Sequence, residues 1–176
     1  MLLKNLSFIN KFTIFFAGNM GKAQALEAVL ESASILMNSL PKVQFVFIGG
    51  GIEVNHLKSR ARDMNLNNIL FLKSVAPVEI GKFLALADVL IVHLKRDPLF
   101  EITIPGKISA YLASGKPVIV GVKGDAAEIV KNANAGIDCD PEIPESISCA
   151  IEKIYKMSNH KLADMGKPSK APVLIQ

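Results

Sequence analysis

The feature that most constrains this chain is an alternation of two apolar rhythms. Short β-rich runs recur at 12–17 (FTIFFA), 43–48 (VQFVFI), 69–72 (ILFL), 88–94 (DVLIVHL), 117–122 (PVIVGV) and 136–139 (GIDC). Most are continuous in apolar residues, the pattern of strands covered on both faces. Helical stripes with apolar steps of three and four fill the gaps. They cover 22–38 (Ala23, Leu26, Val29, Leu30, Ala33, Leu36, Met37) and 53–64 (Val54, Leu57, Ala61, Met64). Others start at about Pro77 (Ile80, Phe83, Leu84, Ala87) and near Pro105 (Ile108, Tyr111, Leu112). The last two cover 125–132 and run from about Pro144 to Met157 (Ile147, Ile151, Ile154, Tyr155). Strand–helix alternation with short connections predicts an α/β, doubly wound, Rossmann-like parallel sheet of about six strands, with right-handed crossovers and helices on both faces.

Composition removes several classes of function. Half of the 176 residues are apolar and a fifth are charged, so the chain can bury a core. Twenty basic against 16 acidic residues give a net charge of +4, which suits an anionic ligand. The basic residues are scattered, Trp is absent and the two Tyr are far apart. A nucleic-acid platform would need a basic stripe with stacking aromatics, so nucleic acid is not an expected partner. Cys139 and Cys149 cannot frame a disulfide scaffold or a four-ligand zinc site, and His56, His93 and His160 lack ligand spacing. No metal or cofactor is expected, and a reducing cytosol is the expected compartment. No apolar run approaches the roughly 20 residues that span a bilayer. The start, Met1 to Phe16, is apolar but broken by Lys4 and Lys11 and is not read as a signal peptide.

In an open parallel sheet, ligands bind beyond the carboxyl ends of the strands, so the segments that follow each strand carry the functional reading. After the first run comes Gly18-Asn19-Met20-Gly21-Lys22. It is either an ordinary βα turn or a phosphate cradle. After the second comes Gly49-Gly50-Gly51, which fits a turn with positive φ or close approach to a ligand. Neither GxGxxG nor GxxxxGK[ST] is present. After the fourth comes the longest loop, Lys95 to Lys107, ending in Ile104-Pro105-Gly106-Lys107 at a helix start. This is a second candidate phosphate site, with Glu101 and Asp97 its nearby carboxylates. A solvated loop acid is the plain alternative for Glu101. Asp125 with Glu128 reads as an N-cap and capping box of the fifth helix. His93, at a strand end, reads as buried and hydrogen-bonded, whereas His56 and His160 read as surface residues.

Taken in order, AGNMGKAQALEAVLESASIL, VQFVFIGGG, NNILFLKSV, LALADVLIVHL, IPGKISAYLASGKPVIVG and AAEIVKNANAGI resemble the C-terminal, donor-binding half of retaining GT-B glycosyltransferases of group 1, the type that builds bacterial surface polysaccharides. The resemblance covers about residues 12–157. It implies one half of a GT-B fold that binds a UDP- or GDP-sugar, with no metal, for transfer to a polysaccharide or lipid-linked acceptor. It implies that Gly18, Asn19, Gly21 and Lys22 face the diphosphate. Glycines 49–51, with Gly50 central, and Lys73-Ser74-Val75 would lie against the base. Ile104, Pro105, Gly106 and Lys107 would hold the diphosphate and ribose side, and Glu101 to Thr103 would meet the sugar, Glu101 as its carboxylate. The Arg and Lys that such enzymes carry in the first loop are Asn19 and Gln24 here. Their two spaced glutamates correspond to Ile102, beside Glu101, and Ala110.

The expected organisation is a linker remnant at 1–11, a donor domain at 12–160 and an irregular tail at 161–176. An acceptor-binding domain or subunit would complete the site. A truncated product and a genuine subunit both fit, as does association with the inner membrane face through the absent half. Two other readings compete. One is a nucleotide-sugar epimerase half, which needs several catalytic acids and a His in the cleft. The other is a non-enzymatic interaction module, in which the apolar start seeks a partner or a second copy.

Overall fold

The structure, a computed structural model, describes residues 10–167. Six strands form one parallel sheet in the order β3-β2-β1-β4-β5-β6. They are β1 (Phe12–Ala17), β2 (Val43–Ile48), β3 (Ile69–Leu72), β4 (Val89–His93), β5 (Val118–Gly121) and β6 (Gly136–Asp138). The helices are α1 (Glu27–Ser39), α2 (Val54–Asp63), α3 (Pro77–Leu84), α4 (Pro98–Glu101), α5 (Lys107–Ala113), α6 (Asp125–Asn132), α7 (Pro144–Tyr155) and α8 (Asn159–Met165).

Alternate residues of each strand feed two separate cores. On one face Ile14, Phe16, Phe45, Phe47 and Ile91 pack under α1, α2 and α7 through Val29, Leu36, Leu57, Ile147 and Ile151. On the other, Phe15, Val46, Leu90 and Val120 pack under α3, α5 and α6 through Leu84, Ile108, Tyr111, Ala126 and Val130. Each buried Phe or Leu contributes roughly 1.5–3 kcal/mol. Since both faces are covered, the strands are apolar without alternation, as the sequence predicts.

The strand order reverses between β1 and β4, and these two strands separate. β1 pairs with β2 along its whole length, from Phe12 opposite Val43 to Ala17 opposite Ile48. With β4 it pairs only at Ile14 opposite Val89 and Phe15 opposite Leu90. Asp88 fastens the amino end of this seam: its carboxylate accepts from the Thr13 backbone N–H at 2.7 Å and the Thr13 hydroxyl at 3.0 Å. Toward the carboxyl end, the α5 residue Tyr111 takes over. Its hydroxyl accepts from Ala17 N–H at 2.8 Å and donates to Ala17 C=O at 3.2 Å.

Several expectations need correction. The helix expected over 22–38 is broken. Lys22–Gln24 form a short 3-10 turn, Ala25 adopts a left-handed φ of 44°, and α1 starts only at Glu27. The cause is tertiary: the Ala23 carbonyl accepts from Lys95 N–H and the Gln24 carbonyl from His93, so neither serves a helix. Lys95 to Lys107 is not a continuous loop but holds α4, whose N-cap Asp97 accepts from Leu99 N–H at 3.0 Å. The N-cap of α6 is Gly124, not Asp125, and no side chain caps it. Gly124 has φ 78°, and a Cβ there would lie 2.0 Å from the Glu101 carbonyl oxygen, so close packing against α4 selects glycine.

Residues 161–165, expected to be irregular, complete α8. Ser158 caps this helix by accepting from Lys161 N–H, and Met165 is buried. The end of the apolar start is core rather than partner surface, because Ile14, Phe15 and Phe16 are buried in β1. Met1 to Ile9 of the expected linker and 168–176 of the expected tail lie outside the described residues. No helix among the described residues is long and apolar enough to cross a membrane.

The loops after β1 and β2 pack backbone to backbone. Met20 N–H donates to Gly50 O at 2.7 Å and Glu53 N–H to Met20 O at 3.0 Å. A Cβ at Gly49 (φ 143°) would lie 2.0 Å from the Gly18 carbonyl oxygen, and one at Gly51 (φ 137°) 2.3 Å from that of Met20. Gly49→Ala is therefore expected to destabilise by more than about 2 kcal/mol. Gly81→Ala, in α3 with nothing within 4 Å of the added carbon, is expected to stabilise by about 0.5–1 kcal/mol. Urea denaturation midpoints check both.

Candidate functional site

Where β1 and β4 part, the loop after β1 and the segment after β4 face each other across a crevice, the place where open α/β sheets bind ligands. The first loop leaves β1 at Gly18 (φ 138°), whose N–H donates to Ile48 O at 2.9 Å. It turns back at Gly21, whose N–H donates to the Gln24 side-chain oxygen at 2.9 Å. Gln24 thus shapes the loop from within.

The opposite wall carries Lys107, the first residue of α5. Its Nζ sits 3.8 Å from the Phe16 ring centroid and 3.2 Å from where a Gly18 Cβ would lie. Glycine at 18 is what lets the ammonium approach the first loop so closely. Burial pushes the Lys107 amine down to about 8. Among the described residues, no carboxylate lies within ion-pair distance of it. A half-buried cation whose main neighbour is an aromatic face is a standing attraction for an anion.

Beside this point a depression of about 410 Å³ opens over the ends of β1, β2 and β3. Ala17, Gly18, Asn19, Gly50, Ser74 and Val75 are among its lining residues. A Cβ on Gly50 would meet the Ser74 hydroxyl at 3.1 Å, a tight contact that this side chain would have to relieve. The structure thus brings Gly18, Asn19, Gly50 and Val75 of the expected set into one cavity, with Lys107 at Gly18.

Gly21 and Lys22, on the far side of the first loop, line a neighbouring depression of about 430 Å³ with Glu27, Glu31, Glu53 and Glu142. Lys73 lines a third, of about 370 Å³, on the α2 side with Lys58 and Phe71. On the segment after β4, Thr103 donates its hydroxyl to the Leu99 carbonyl at 2.5 Å, closing the end of α4. Ile102, Thr103, Ile104 and Gly106 are exposed and Pro105 half-buried. Nothing lies within 4 Å of a Cβ placed on Gly106. Glu101 is exposed, and its carboxylate makes no ion pair among the described residues. Its backbone carbonyl is what packs against Gly124.

Sequence reading missed two residues that build the site. Tyr111 looks like one more apolar helix residue, yet its hydroxyl holds the last peptide of β1. Burial, partly offset by the Ala17 bond, raises that phenol well above its usual range. His93, read as buried and hydrogen-bonded, is both, and the role that went unseen is that its two bonds bridge two loops. No local signal distinguishes either, because their partners lie 94 and 69 residues away.

The profile of the glycosyl transferases group 1 matches residues 4–171. The chain is 26% identical over 144 residues to the probable glycosyltransferase WbjE of Pseudomonas aeruginosa, covering 81% of this chain and 35% of that protein. Among solved structures it resembles HepE of Anabaena in complex with UDP and glucose, at a TM-score of 0.80 and 19% identity, covering 97% of this chain and 45% of that one. It also resembles TarM of S. aureus, in a complex that includes UDP, at a TM-score of 0.78 and 13% identity, covering 93% and 32%. The chain therefore spans about a third of the length of WbjE and under half that of HepE.

The Lys107 environment sets up a trade-off. Its folded value, about 8, lies below the ordinary 10.5. The folded state is therefore penalised while the amine is charged, and stability rises as pH climbs from 8 toward 10.5. Lys107→Met is expected to stabilise the ligand-free chain by about 1–2 kcal/mol at neutral pH. That gain should shrink as pH rises through this window. Denaturation curves at several pH values check it.

Proposed function

Since the chain belongs to the glycosyl transferases group 1, we propose that it forms the donor half of a glycosyltransferase and binds a nucleotide-diphosphate sugar, UDP- or GDP-linked, in the crevice between β1 and β4. The observation that carries this reading is the Lys107 ammonium, desolvated, without a counter-ion among the described residues, and pressed against Gly18. HepE, of similar fold, forms complexes with UDP and with UDP-glucose.

In this reading the cavity beside Gly18 takes the base, against Gly50 and Val75. The first loop, Gly18 to Lys22, and the segment Thr103 to Lys107 enclose the diphosphate and ribose. Glu101 lies toward the sugar, at the open end. Breaking the bond between the anomeric carbon and the β-phosphate oxygen leaves the electron pair on that oxygen, so the diphosphate goes from two negative charges to three. A cation already placed at its oxygens, in a site of low dielectric, stabilises the charge as it develops without having to reorganise. Lys107 supplies this, with Lys22 farther out, and no metal ion is assigned to the step. The acceptor would be a polysaccharide or lipid-linked sugar, held by a domain or subunit outside the residues described.

The proposal has a thermodynamic signature. A bound diphosphate favours the charged amine, so binding near pH 8.5 should draw a proton onto Lys107. Titration calorimetry with UDP-glucose and GDP-mannose in buffers of different ionisation enthalpy measures this uptake. The expected result is saturable binding of one nucleotide sugar, unaffected by EDTA, with proton uptake that Lys107→Met abolishes along with most of the affinity. No binding of either at millimolar concentration would contradict it.

A further inference from the structure

The first loop is held in shape by a buried imidazole. His93, the last residue of β4, is fully buried. Its Nδ1 lies 2.7 Å from the Gln24 carbonyl oxygen, so that nitrogen carries the proton and donates. Its Nε2 accepts from the Glu142 backbone N–H at 3.0 Å. One neutral ring with one tautomer therefore ties the loop after β1 to the loop between β6 and α7.

The surroundings are built for this ring. A Cβ at Gly121, opposite His93 in β5, would lie 2.4 Å from the imidazole Cδ2, so glycine there makes its room. Gln24, gripped by its main chain, reaches back with its side chain to Gly21 N–H. Ala25 follows in the left-handed region, at φ 44°, a conformation that costs an alanine energy and persists only where neighbours enforce it. Glu142, gripped from the other side, is itself left-handed at φ 59°, and its carboxylate accepts from Arg96 N–H.

We propose that His93 is a positioning residue: it fixes the strained turn at Gln24 and Ala25, and through it the geometry of Gly18 to Lys22 that receives the diphosphate. The consequence for the ligand rests on the donor-binding reading above. The grip on the loop does not.

Only the neutral ring can make both bonds. A proton on Nε2 would face the Glu142 N–H with a second donor. Burial, the largest influence, holds the imidazole below its usual value, against the Gln24 carbonyl and the Glu142 carboxylate, which favour the charged ring. The other charged groups on the loops packed around it are Lys22 on the first loop, then Lys95, Arg96 and Asp97 after β4. The Lys123–Asp140 ion pair joins the loops after β5 and β6. The bridge should hold at neutral pH and open only in acid, below the usual histidine range.

The test is amide hydrogen exchange of the full chain without ligand, together with calorimetry using UDP-glucose, whose diphosphate diester keeps its charge over this pH range. In His93→Leu the Gly21 and Gln24 amides should exchange at least about tenfold faster, and UDP-glucose should bind about tenfold more weakly. His93→Asn, which keeps a donor near the Nδ1 position, should recover part of both. In the wild type, affinity should fall with the acid opening of the bridge, and in His93→Leu it should not. Unchanged loop exchange in His93→Leu, or unchanged affinity where the wild type binds, would overturn the proposal. Should the variants not fold, a wild-type affinity that stays flat in acid down to the pH at which the chain unfolds would do the same. A wild type that binds no UDP-glucose would count against the donor reading, and loop exchange would still decide whether His93 holds the turn.

Discussion

The structure depends on β1 and β4 being joined at one end and parted at the other. Asp88 ties the amino end to Thr13, and only two residue pairs of the ladder follow. The ladder ends at Phe15 and Leu90, and beyond it the Tyr111 hydroxyl meets the Ala17 peptide. A buried peptide left unpaired costs about 1–3 kcal/mol, so the crevice can open only where a side chain replaces the missing strand. Lys107 and Tyr111 lie four residues apart on α5. The helix that closes the seam therefore also presents the cation at its mouth.

Glycines act here mainly as clearance between backbones. Gly49 and Gly51 lie against the carbonyls of Gly18 and Met20, and Gly124 against that of Glu101. Two of the three glycines after β2 are thus explained by neighbouring loops before any ligand is considered. Gly18 and Gly50 differ: what they make room for are side chains, Lys107 and Ser74, at the rim of the same cavity.

The strand pattern was legible because burial on both faces leaves its mark on every residue, and the runs at 12–17, 43–48 and 69–72 coincide with β1, β2 and β3. What the sequence concealed were effects of distant residues on local structure. Residues 22–26 have the composition of a helix, but the Ala23 and Gln24 carbonyls are claimed by Lys95 and His93. Asp125 has the chemistry of an N-cap, but Gly124 alone can take the conformation that α4 demands. Within the candidate site, Gly18, Asn19, Gly50 and Val75 could be grouped from their places after strands. The separation of Lys22 from Lys107 could not be seen, because it depends on which side of the first loop each lysine leaves the sheet.

The central claim is that the β1–β4 crevice, with Lys107 at its rim, receives a nucleotide diphosphate. The most direct measurement is a backbone amide NMR titration of the chain with UDP. The account predicts saturable shifts at Gly18, Asn19, Gly50, Val75, Gly106 and Lys107, on both walls of the crevice. Shifts confined to the acidic depression around Glu27, Glu31 and Glu53, or to the β3 edge around Lys58 and Phe71, would contradict it.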